Sequence, residues 1–328
     1  MTVAQKVKEL KDSIRSISSD LDDVIDEIGS TSETSSSFWQ SINRKVRSLY
    51  EDLRTTTKEW IEAQLPDEYY AAIQDEIAAL KSKAVFPDNY KDIDASEFVN
   101  THSIKQSLSA LLDDTLSAFS TGYLSGEREM VKLARLTQQI NVSEKEMNRL
   151  VDEGYNSQTE GGYQRGMQGS KRAIRDALLE KAQDGKYIKV IDKNGDTEMW
   201  DASKYAELVA RTKLIEASTQ GVLNTTIAVG GDLVQVDAHN TDCEVCMDYE
   251  GKIYSISGND PDFPEVEDLP PFHPHCLHSI TTVFREGLIA DGTLDKYIEF
   301  SNDDSGELAH PTRTSFIPLV DRGGEEEE

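Results

Sequence analysis

Residues 239–284 read HNTDCEVCMDYEGKIYSISGNDPDFPEVEDLPPFHPHCLHSITTVF, and they hold all three cysteines and four of the six histidines of a 328-residue chain. Cys243 and Cys246 stand at the two-residue spacing that lets one tight turn aim two thiolates at a single ion. His273 and Cys276 repeat that spacing after an acidic, proline-rich excursion, and His278 follows. Two such knuckles brought together by a hairpin supply the four N or S donors of a tetrahedral zinc and cross-link the loop between them. The favoured set is Cys243, Cys246, His273 and Cys276, with His278 the alternative fourth donor. His275, the immediate neighbour of Cys276, is the weakest candidate. The plainer reading is reduced, buried cysteines beside surface histidines; the repeated knuckle argues against it.

Working outward, Leu233, Val234 and Val236 start a strand before the first knuckle. Lys252 to Ile256 gives another after the Glu250-Gly251 turn, and Ser279 to Phe284 a third after the second knuckle. A metal would pin this small sheet, which lacks a large apolar core. Upstream, a helix capped by Asp201 or Ser203 runs to about Gln220 and is expected to close at Gly221. Tyr187–Ile191 and Thr197–Trp200 flank Asn194-Gly195, a type I′ hairpin signal. Asp192, Asn194 and Asp196 fail as a calcium loop, because the sixth position is Thr197 rather than Gly and the twelfth Ser203 rather than Glu.

The first half reads as all α. Val3, Val7, Leu10, Ile14, Ile17, Leu21, Val24 and Ile28 form a heptad seam stopped by Gly29. The seam is either a coiled-coil arm that pairs with another subunit or a helix packed on its own domain. Ser30 to Ser37 reads as a polar hinge. A helix from Trp39 is expected to end at Pro66, with a second from Asp67 to about Val85. Another runs from Ala95 to about Ile140 with a break at Gly122 to Gly126, and Ser143 with Glu146 reads as a capping box that starts one more. The fold class is therefore α+β: a long all-α N-terminal region followed by a small α/β domain with a zinc-knuckle-like metal site. The expected divisions are an arm at 1–29, a helical domain at 38–184, the knuckle domain at 185–285 and an acidic tail at 286–328.

A formal net charge of −27 repels phosphate, so sequence-independent DNA binding by the whole surface is disfavoured. Lys171, Arg172 and Arg175 form a local basic cluster, but Asp176, Glu180 and Asp184 flank it. No run of about 18 apolar residues exists, so no membrane role is expected. MTVAQKVKEL lacks a secretory apolar stretch, which predicts a protein that is soluble and intracellular when made. Three cysteines fit metal ligation in a reducing compartment better than a disulfide framework.

Trp200 to Gly221, GDLVQVDAH at 231–239, CEVC at 243–246, GKIYSISG at 251–258 and PPFHPHCLH at 270–278 resemble the phage minor capsid proteins. The resemblance is to the head-morphogenesis, Mu F-like group of tailed phages, in its minor capsid protein 2 branch, and covers about residues 185–285. It implies a non-enzymatic virion protein at the portal vertex, with the portal and other head proteins as partners and a role in head assembly or DNA delivery. Self-association through the Val3–Ile28 heptads is a further expectation. The alternatives are a zinc-dependent hydrolytic enzyme and a DNA-binding protein inside the capsid. H-E-x-x-H and the deaminase signature H-x-E…P-C-x-x-C are both missing, which weighs against the enzyme.

Overall fold

The structure, a computed structural model, describes residues 1–152, 160–183, 188–191, 197–239, 241, 243–273 and 276–303. The helical half comprises α1 (Val3–Ser30), α2 (Ser36–Lys81), α3 (Ala95–Phe98), α4 (His102–Asp152) and α5 (Glu160–Gln183). A short hairpin follows, β1 (Ile188–Ile191) and β2 (Thr197–Trp200), then α6 (Ala202–Ala228). The remainder is β3 (Leu233–Val236), α7 (Glu244–Met247), β4 (Ile253–Ser255), β5 (Ile280–Val283), α8 (Arg285–Ala290) and α9 (Leu294–Ser301). This is the expected α+β class. The chain folds as two compact units, one of residues 7–60 and 116–207, the other of 1–6, 61–115 and 208–328.

In the first unit the heptad seam is satisfied inside the chain. Leu10, Ile14, Leu21 and Ile28 are wholly buried and Val7 and Val24 nearly so, which favours the second of the two readings, a helix packed on its own domain. Ion pairs Lys11–Glu207 at 2.5 Å and Lys45–Glu27 at 2.7 Å flank α1. The Ser-rich segment is tied down as well: Asn141 Nδ2 donates to the Thr31 and Glu33 carbonyls, and Trp39 Nε1 to Glu33. These bonds satisfy backbone oxygens that a mobile hinge would leave to water.

Helix α4 continues through both expected interruptions. Gly122 is no breaker: a Cβ there would lie 2.5 Å from the Tyr205 ring, so the residue is small to admit that ring. Tyr205 in turn donates to the Ala118 carbonyl at 2.7 Å. Ser143 Oγ donates to Gln139 O one turn back, and Glu146 pairs with Arg149, so the capping-box residues sit in mid-helix. Strands β1 and β2 pair antiparallel with Ile188 opposite Trp200 and Val190 opposite Glu198. Asn194-Gly195 and the rejected calcium positions 192, 194 and 196 lie outside the described residues. Asp201 is the cap of α6, its Oδ1 accepting from the Ser203 and Lys204 amides.

In the second unit α2 passes Pro66 without ending. A proline inside a helix removes one backbone bond and clashes with a carbonyl, yet Ile61, Leu65, Tyr69 and Ile73 keep one buried stripe on both sides of it. Packing of that stripe holds the helix together. Gly221 likewise lies within α6 rather than at its end, because a Cβ would meet Tyr69 O at 2.8 Å and Ala72 Cβ at 3.0 Å.

The three-stranded antiparallel sheet has the order β4-β3-β5. Central β3 is buried throughout, because both faces are covered. Val234 and Val236 join Ala72, Val222, Tyr254 and Ile280 in one cluster, while Leu233 joins Ile253, Phe263, Leu288 and Tyr297 in the other. Residues 286–303, counted with the acidic tail in the sequence, thus include all but the first residue of the two short helices that close the second face. Both sheet edges are capped, as exposed edges invite pairing with other chains. The Thr282 amide on β5 donates to Glu76 Oε1 at 2.9 Å, and the Ile253 amide on β4 to Ser301 Oγ at 3.0 Å. Burial raises the Glu76 carboxyl above its ordinary range, against the pull of that bond and of Lys83.

Candidate metal centre

The site hangs from the ends of the sheet. Chain leaving β3 reaches Cys243 at the N-terminus of the single-turn α7, and Cys246 follows inside that turn. The Tyr249 and Glu250 amides both donate to Cys246 O at 3.0 Å, reversing the chain toward β4. The second knuckle enters β5 directly, with the Cys276 amide donating to His273 O at 3.1 Å. Tyr249 and Phe272 stack at 4.1 Å between ring centroids and 16° between planes, fastening one knuckle to the other.

His273 Nε2 lies 2.9 Å from Cys246 Sγ and 3.3 Å from Cys243 Sγ. Cys246 Sγ lies 3.9 Å from Cys276 Sγ, which lies 3.6 Å from His278 Nδ1. The donors fall into two triads, Cys243, Cys246 and His273, and Cys246, Cys276 and His278, each with its ligand atoms within 4.8 Å of one another. The triads meet at Cys246. All five residues expected as ligands are therefore gathered in one place, and His275 lies outside the described residues.

A metal fits this donor set. With metal–sulfur bonds of about 2.3 Å and metal–nitrogen bonds of about 2.0–2.1 Å, a tetrahedron has edges of roughly 3.3–3.8 Å, close to the separations seen. Soft thiolates with imidazoles select zinc-like ions over hard cations. Burial together with the neighbouring Cys276 pushes the Cys246 thiol up to about 12, so a cation is what would hold it as a thiolate. The Cys243 thiol is lowered, chiefly by the Cys246 amide. A bound metal would supply a cross-link between the knuckles.

Glu250 and Asp237 are neighbours that spacing alone did not reveal. Glu250 Oε1 sits 3.1 Å from His278 Nε2 and also receives the His239 amide at 2.5 Å. Burial lowers the His278 imidazolium, but Cys276, Glu250 and Asp237 outweigh it and raise the group to about 9. Asp237 and His239 are two residues apart in extended chain, which places their side chains on one side; that alternation was the available signal.

Residues 40–293 match the phage minor capsid protein 2 family. The chain belongs to that family. No curated protein and no solved structure matches it. For a member of the phage minor capsid protein 2 family, the match spans most of both compact units and the whole of the cysteine-histidine cluster. Among the described residues no helix is long and apolar enough to cross a membrane.

Proposed function

We propose that this minor capsid protein is a structural component of the phage head that docks at the portal vertex and acts in head assembly or DNA delivery. The family match over residues 40–293 carries the reading. In it the knuckles hold one structural zinc through Cys243, Cys246, Cys276 and either His273 or His278, and the ion fastens the long β4–β5 connection. The protein is made in the host cytoplasm and incorporated in the virion, with the portal and other head proteins as partners. Two features of the chain support an architectural rather than a catalytic role. The thiols of Cys246 and Cys276 are buried, and the five gathered donors are enough to fill a tetrahedron without leaving a position for substrate.

Direct DNA binding finds less support. Arg172 pairs with Glu144 and Arg175 with Asp176, so the basic cluster of the sequence is largely neutralised by its own chain. The deciding experiment is a binding measurement with the cognate portal protein, combined with electron microscopy of heads from a phage lacking this gene. Saturable portal binding and defective or non-infectious heads are expected. Normal, infectious heads with no portal affinity would overturn the proposal.

A further inference from the structure

We propose that Asp237, His239 and His278, with Glu250 beside them, form a second divalent-metal site next to the cysteine cluster. Asp237 Oδ2 lies 3.2 Å from His239 Nε2, and His278 Nε2 lies 3.1 Å from Glu250 Oε1. Ligand atoms of Asp237, His239 and His278 all lie within 4.8 Å of one another. Around an ion with bonds of about 2.0–2.2 Å to nitrogen and oxygen, donors at right angles are separated by roughly 3 Å, so the two contacts have the length of octahedral ligand–ligand edges.

The carboxylates are held in place for this task. Ser279 donates to Asp237 through its amide at 2.9 Å and its hydroxyl at 2.7 Å. Glu250 is fixed by the His239 amide. Such outer partners orient first ligands and resist their collapse. The His239 and His278 rings stand 4.9 Å apart, tilted by 54°. The His278 side chain is 3% exposed and that of His239 47%, so the group is closed on the sheet side and open to water on the other.

His278 presents different nitrogens to the two clusters. Its Nδ1 faces Cys276 Sγ and its Nε2 faces the Glu250 carboxylate. With Nδ1–H directed at the Cys276 sulfur, an ion that displaces the Nε2 proton takes that nitrogen for the second site, and His273 becomes the fourth donor of the first. That allotment of His273 rests on the zinc reading above; the second site does not. Two imidazoles with one or two carboxylates and open positions suit a first-row divalent ion such as Co²⁺, Mn²⁺ or Fe²⁺.

The test is titration of the full-length, reduced protein with Co²⁺, followed by calorimetry and by visible absorption. One equivalent is expected to bind with weak ligand-field bands, separate from any equivalent that gives the intense thiolate-to-cobalt charge-transfer band of the cysteine cluster. His239→Ala, at a half-exposed position, should weaken this binding at least about 100-fold, since even outer-partner substitutions cost about 10–100-fold. Asp237→Asn should weaken it too, with unchanged circular dichroism. Binding counted apart from the thiolate-band equivalent supports the second site whether or not the cysteine cluster carries zinc, and so separates this inference from the structural-zinc reading. No saturable binding, binding seen only with a thiolate band, or equal affinity in wild type and His239→Ala overturns the proposal.

Discussion

Replacing Leu10 or Ile14 by alanine asks where the N-terminal seam finds its partner surface. Both side chains are completely buried within one chain. Shortening such a side chain loses its transfer free energy and leaves a cavity, about 2–5 kcal/mol for Leu or Ile to Ala. For a unit of this size the melting temperature should fall by roughly 4–20 °C. The assay is thermal unfolding by circular dichroism in reducing buffer, repeated at two protein concentrations about 100-fold apart, because a seam satisfied by a second copy makes stability depend on concentration. Arg15, exposed and paired with Asp12 at 3.4 Å, is the control, and Arg15→Ala should stay within about 0.5 kcal/mol of wild type. Two results refute the reasoning: Leu10→Ala and Ile14→Ala variants that melt with the wild type, or a wild-type transition that rises with concentration and ceases to do so in the variants.

Gly221→Ala should destabilise, because overpacking against the Tyr69 carbonyl costs about 1–3 kcal/mol and outweighs the gain of up to about 1 kcal/mol in helix propensity; a stabilised variant in urea unfolding would count against the close approach. Asp201→Ala should cost about 0.5–2 kcal/mol through the lost cap of α6, whereas Asp201→Asn should cost much less; equal losses would assign the effect elsewhere. Cys246→Ser should lower bound zinc more than Cys243→Ser does, because Cys246 belongs to both triads. Elemental analysis of the purified variants decides, and equal zinc in both would remove Cys246 from the centre of the site.

The strands of the three-stranded sheet and the two knuckles were legible in the sequence because their signals are local: alternation within four or five residues, and a ligand pair within one turn. The helix interruptions were misread for the opposite reason. Pro66, Gly122 and Gly221 are breakers by local rules, but Gly122 and Gly221 are overruled by surfaces far away in sequence, the Tyr205 ring and the Tyr69 backbone, and Pro66 by a stripe that stays buried on both sides of it. Helices α8 and α9 were hidden by acidic residues around them, although Leu288 and Tyr297 are buried against the sheet. At the candidate site, spacing could group Cys243 with Cys246 and His273 with Cys276, but only folding brings Glu250 to His278, 28 residues apart. Asp237 becomes informative once β3 and β5 are known to be neighbours, since Ser279 holds it from the adjoining strand end.

The Glu76–Thr282 bond joins residues 206 apart in sequence, and this has a consequence for synthesis on the ribosome. At about 5–20 residues per second, roughly 10–40 s separate the emergence of the α2 carboxylate from that of the strand whose edge it caps. Over that interval the apolar stripe of α2 around Tyr69 and Ile73 waits without β3 or β5 to cover it, while residues 7–60 and 116–207 are already available to one another. The sheet-bearing unit is therefore the last to close in each newly made chain.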